Sequence, residues 1–103
     1  MKRVFVTAAL AVLTLAAQNG NAASIYAGHA KAAAVCSHCH GMKMPSADAP
    51  FPFLAGRDFE YLKQALKQYR DKTRKSDIMN AIAGSLSDND IENVAAYYAR
   101  QKP

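Results

Sequence analysis

The sequence predicts an all-α domain, three to four helices packed around one covalently attached group. Three observations lead there: the string Cys36-Ser37-His38-Cys39-His40, apolar residues recurring at spacings of three and four, and the lack of any alternating strand pattern. A C-x-x-C-H string places two thiols where each can add across a vinyl group of one porphyrin, with the next histidine beneath the iron. Cys36 and Cys39 are therefore read as thioethers of one haem c, and His40 as the proximal iron ligand.

The chain of 103 residues divides into a leader and one small domain. Lys2 and Arg3 open it, the apolar run 4–17 follows, and small and polar residues lead to Ala22 and Ala23. A membrane span needs about 18 to 20 apolar residues, more than this run supplies, so residues 1–22 are expected to be a signal peptide. The fit to a small-x-small cleavage site is loose because Gly20 or Asn21 takes the outer position. Residues 23–103 then form the domain, exported to the periplasm. At that size a hydrophobic core is marginal without a staple, which a bonded haem provides.

Outside the cytoplasm two cysteines ordinarily suggest a disulfide, and C-x-x-C also occurs in thioredoxin-like redox sites and as half of a zinc site. The redox reading requires strands in a βαβ setting. The zinc reading requires a second ligand pair, and no Cys or His follows His40. Haem attachment is the reading that the chain supports.

The first helix is expected from about residue 25 into the haem string, with Tyr26, Ala30, Ala33, Ala34 and Val35 favouring a helix. Gly28 lies where a missing side chain would let another helix cross closely. Residues 41–56 hold Pro45, Pro50 and Pro52 and predict an extended loop along one face of the haem. Asp58 can cap a helix over 58–71, whose apolar side is Phe59, Leu62, Ala65, Leu66 and Tyr69. Residues 75–85 read as irregular. Ser87 with Asp90 forms a capping-box variant for the last helix, Leu86 and Ile91 take the staple positions, and Val94, Ala95, Tyr97 and Tyr98 continue its buried side.

Iron held this way needs a second axial ligand or an open position. Met42 and Met44 follow His40 too closely to reach the opposite face, His38 lies inside the attachment loop, and His29 sits two turns back on the first helix. Met79 comes 39 residues after His40, far enough for the chain to return across the distal side. Spacing leaves two readings for it, a sulfur ligand or a filler of the core.

Taken together, C-x-x-C-H-G, Phe51-Pro52-Phe53-Leu54-Ala55-Gly56, Tyr61-Leu62-Lys63-Gln64, Asp77-Ile78-Met79, Leu86-Ser87-Asp88-Asn89-Asp90-Ile91 and Ala95-Ala96-Tyr97-Tyr98 give the chain a family likeness. It resembles a class I bacterial cytochrome c, close to the cytochrome c553 group and to one half of a dihaem cytochrome c4, over nearly all of residues 25–102. The resemblance implies crossing N- and C-terminal helices with Gly28 and Tyr97 at the contact. It also implies haem on Cys36 and Cys39, His40 proximal and Met79 distal. The early attachment string sets it apart from class II cytochromes c′. Relatives often carry a proline some nine residues after the haem histidine, near the carbonyl that orients the imidazole; here that position is Ala49, with Pro50 next. Met42-Lys43-Met44-Pro45 stands where relatives often have Asp and Gly, and nothing physical explains the change.

Nitrogen and thioether ligation implies little geometric change between oxidation states, hence a monohaem carrier shuttling single electrons rather than an enzyme. Two alternatives stand beside it: a haem-bearing subunit of a larger oxidoreductase, and a five-coordinate haem protein binding gas or peroxide. The net charge is +5, of which Lys2 and Arg3 supply two. Lys63, Lys67, Arg70, Lys72, Arg74 and Lys75 form either a solvated face or a docking patch for an acidic redox partner. Contacts with such partners are expected to be transient and the protein a monomer, without stable membrane insertion after cleavage. No recognition motif accompanies the charge, which points away from nucleic acid.

Overall fold

The computed structural model describes residues 23–44 and 51–102, so the expected signal peptide and the central part of the proline loop lie outside the described residues. Five helices occupy the described chain: α1 (Ile25–Lys31), α2 (Ser37–His40), α3 (Phe59–Asp71), α4 (Asp77–Gly84) and α5 (Asp88–Arg100). No strand occurs among the described residues. Between α1 and α2 the backbone widens into a π-helical turn, Ala32–Cys36, so 25–40 forms one rod with a bulge in it.

Local chemistry sets the helix starts. The Ser24 hydroxyl accepts the Ala27 amide and begins α1, and the Asp58 carboxylate accepts the Tyr61 amide and begins α3. Ser87 and Asp90 close the reciprocal capping box at α5, where hydrogen bonds from Ser87 hold the Asp90 carboxyl below its ordinary range. At its end α3 turns through Lys72, whose φ of 69° is left-handed.

Residues 75–85, expected to be irregular, are largely helical and form α4. Ser76 caps this helix by accepting the Met79 amide at 3.2 Å. The Asn80 amide donates to the carbonyls of Tyr69 at 2.7 Å and Arg74 at 2.9 Å, fastening α4 to the end of α3. The sequence reading missed this helix because its apolar pattern, Ile78, Ala81 and Ile82, covers barely two turns and Asn80 reaches back to α3.

The core forms where α1 crosses α5. Gly28 of α1 and Ala32 of the π-turn are buried; Ile91, Val94, Ala95, Tyr97 and Tyr98 are buried on α5. A β-carbon added at Gly28 would fall on the Asn93 carbonyl and within 2.9 Å of the Tyr97 β-carbon. The helices therefore touch backbone to backbone, as the sequence reading of Gly28 and Tyr97 expects. Ser24 donates its amide to the Asn93 side chain at 2.7 Å, and Lys31 pairs with Asp90 at 3.7 Å, so the crossing is also held at its edges. Leu62 of α3 completes the cluster from the other side.

Gly28→Ala must push α1 away from α5, and the overpacking is expected to cost about 2 to 3 kcal/mol despite the better helix propensity of Ala. Urea unfolding would show this as a lower midpoint with little change in slope; an unchanged midpoint would refute the close crossing.

Candidate functional site

The α1 rod, the loop before α3, and α3, α4 and α5 together enclose a cavity of about 260 Å³. Its wall brings together all four residues singled out by the sequence: Cys36 and Cys39, His40 and Met79. Most of the remaining wall is apolar, including Leu54, Leu62, Leu66, Ile82, Leu86 and Val94. Met42 instead packs partly buried against the core, and Met44 is 50% exposed; neither lines the cavity. His29 is exposed with its ring edge-on to Tyr97 at 5.2 Å, and His38 is exposed with its ring turned to the Ala34 carbonyl.

His40 is oriented from the loop. Its Nδ1 lies 2.7 Å from the Pro52 carbonyl, which can only accept, so Nδ1 carries the proton and Nε2 is left with a lone pair. The orienting carbonyl is thus Pro52, rather than one beside Ala49 or Pro50. Phe51 meets the His40 ring at 6.0 Å and further limits its rotation. The sequence signal was the Phe51-Pro52-Phe53 string itself, but spacing could not say which carbonyl would face inward.

Cys36 is half-buried, and burial pushes its thiol up to about 11 against a smaller opposite pull from Lys31. Reactive C-x-x-C thiols in redox sites run the other way, to about 3.5 to 7.5. Tyr98 contributes its ring to the cavity wall and donates its hydroxyl to the Gly41 carbonyl at 2.7 Å, holding the residue after His40. Burial pushes the Tyr98 hydroxyl well above its ordinary value, so it stays protonated as a donor. Sequence reasoning counted Tyr98 only as core; a buried tyrosine usually finds a partner for its hydroxyl, which was the available hint.

The sequence reading passed over Arg57 and counted Arg74 only within the basic cluster, yet both reach the cavity. Arg57 lies 5.5 Å from the rings of both Phe53 and Tyr61, and Arg74 lies 5.5 Å from Tyr69 and 6.0 Å from Tyr61. Both line the cavity, giving an otherwise apolar space a cationic border.

So apolar a wall suits a large apolar occupant, whose burial would remove that wall from water. Two thiols in its wall, an imidazole with a fixed free nitrogen, a thioether and bordering cations match a haem bonded to the chain.

The chain matches, over residues 23–97, the family model described as cytochrome C oxidase, cbb3-type, subunit III. Cytochrome c4 of Pseudomonas aeruginosa is 41% identical over 93 residues, which cover 90% of this chain and 44% of that protein. Cytochrome c-554(548) of Halomonas halodenitrificans is 39% identical over 70 residues, covering 65% of this chain and 84% of the relative. Among solved structures, thiosulfate dehydrogenase from Marichromatium purpuratum superposes with a TM-score of 0.72 and 29% identity, over 91% of this chain and 22% of that one. The chain thus spans under half the length of the cytochrome c4 relative.

Tyr98→Phe removes the hydroxyl and strands the Gly41 carbonyl, which is expected to cost about 1 to 2 kcal/mol. Thermal unfolding of the holoprotein would register the loss; a variant as stable as the parent would show that the tether is dispensable.

Proposed function

The chain belongs to the cytochrome c family and its cofactor is haem c, and from this we propose that it is a periplasmic electron carrier whose iron lies between His40 and Met79. The observation that carries the reading is the single cavity wall holding Cys36, Cys39, His40 and Met79. When bound, the haem supplies a one-electron couple at its iron.

Each side chain then has a defined part. Cys36 and Cys39 would anchor the ring by thioether bonds. His40 offers Nε2 to the metal, because Pro52 occupies its Nδ1 proton. Met79 approaches from α4, whose start is fixed by Ser76 and Asn80, so the ligand sits on a braced helix rather than a mobile loop. A soft sulfur ligand and an apolar wall favour the reduced iron and raise its potential. Were His40 and Met79 both to hold the iron, the site would leave no open position for substrate, which favours carrier over enzyme.

Residues 1–22 act in this reading as a signal peptide and residues 23–103 as the haem domain. Among the described residues no helix is long and apolar enough to cross a membrane. The solved relative named thiosulfate dehydrogenase keeps the second reading in view, a haem-bearing subunit serving a larger oxidoreductase.

The basic cluster proves to be divided in its duties. Lys63 pairs with Glu60 and Glu92, Arg70 pairs with Asp88 at 2.8 Å, and Arg74 is bonded to Gln68 and set against aromatic rings. Lys67, Lys72 and Lys75 make no ion pair among the described residues. Lys72 and Lys75 flank the turn into α4, close in sequence to Ile78, which lines the cavity yet is 57% exposed. That edge, apolar beside free positive charge, suits brief contact with an acidic redox partner.

Purified holoprotein is expected to gain the mass of one haem, and Met79→Ala to lose the weak far-red band of ferric thioether-ligated haem while staying folded. An unchanged band would remove Met79 from the iron, and a wild-type chain without added mass would end the haem reading.

Lys72→Glu with Lys75→Glu should slow electron exchange with an acidic partner about tenfold at low salt and flatten its salt dependence. Equal rates for parent and variant at every ionic strength would move the docking edge elsewhere.

A further inference from the structure

The two residues between the cysteines are usually treated as spacers, but here both are bonded into the backbone turn that precedes them. The Ser37 hydroxyl donates to the Ala33 carbonyl at 3.0 Å. The His38 Nε2 lies 3.2 Å from the Ala34 carbonyl, which can only accept, so Nε2 is the protonated nitrogen. The Ser37 amide reaches back to the Ala32 carbonyl, five residues earlier, closing the π-helical turn Ala32–Cys36.

That turn has a geometric purpose. In an α-helix each step of four residues overshoots a full circle by about 40°, so Gly28, Ala32 and Cys36 would drift progressively around the rod. A π-turn holds about 4.4 residues, and a four-residue step across it falls short by about 30°. The excess of the first step is largely undone by the second. Cys36 returns to the side on which Gly28 and Ala32 meet α5, and it packs against the core cluster there. Cys39 and His40 follow within one short helix, so they inherit the same correction.

A π-turn is rare because it opens the helix and loosens its ladder. Something must hold this one. Side-chain bonds to helix carbonyls are known to bend and reshape a helix, and here two consecutive carbonyls receive them.

Resting on the haem reading above, we propose that Ser37 and His38 are positioning residues, which lock the π-turn through the Ala33 and Ala34 carbonyls and so aim Cys36 and the His40 ring at the haem.

The test compares wild-type holoprotein with Ser37→Ala, His38→Ala and the double variant. Amide exchange at residues 33–37 should quicken about tenfold in the double variant while residues 91–98 keep their protection. The pattern of paramagnetically shifted haem methyl resonances in the oxidised protein should also change, because it follows the plane of the His40 ring. A residue that merely supports stability would speed exchange throughout and leave that pattern alone. Ser37→Thr, which keeps a hydroxyl, should restore both readouts to the wild-type values. Should the double variant not accumulate, each single variant is expected to show the same two changes at smaller size. Wild-type exchange at 33–37 together with an unaltered methyl pattern would overturn the locking role. A colourless wild-type chain would instead strike the haem reading itself.

Discussion

The contact on which the rest depends is the backbone approach of α1 to α5 at Gly28. It brings the attachment string to the same cavity that α5 lines with Val94, Ala95 and Tyr98. A side chain at Gly28 would lift the rod, and the displacement would pass along it to Cys36, Cys39 and His40. Nearby bonds act in the same sense: Ser24 to Asn93, Lys31 to Asp90, and Tyr98 to Gly41 each join the N-terminal third of the domain to α5. All three ties are polar and partly exposed, so the direction of approach comes mainly from packing.

Around that crossing the domain is built as a shell rather than as a filled core. Among the described residues the fully buried side chains are few, with Tyr98 and Ile91 the largest, while the cavity wall collects most of the remaining large apolar residues. A small domain gains little from its own core, and the cofactor completes what the chain leaves open. The covalent bonds give the association permanence, whereas the burial of the ring supplies the stabilisation. In the proposed reading the same apolar wall would also raise the potential of the iron, so that stability and function would draw on one set of residues.

The two proposed axial ligands are braced by different means. His40 takes its position from the rod, and its Nδ1 is held from the loop by the Pro52 carbonyl. Met79 belongs to α4 and takes its place from Ser76 and Asn80, which fix that helix against the end of α3. The second brace runs beside the surface edge of Lys72, Lys75 and Ile78: Asn80 bonds the Arg74 carbonyl, and Ile78 shares the cavity wall with Met79.

The attachment string, the caps at Asp58 and Ser87, the periodic faces of α3 and α5, and the small residue at the crossing were all legible in the sequence. Each is encoded within about one or two helical turns, where spacing determines geometry. Four features were decided only by the tertiary structure: the helix carrying Met79, the choice of Pro52 as the carbonyl facing His40, the Tyr98 tether, and the arginines bordering the cavity. In α4 a short apolar pattern was outweighed by Asn80 bonding back to another helix. The division of the basic cluster into paired and unpaired charges likewise required knowing which acids lie across from it on α5. A local pattern fixes how a segment folds. Which atoms meet across the chain depends on how the segments pack, and no spacing rule contains that.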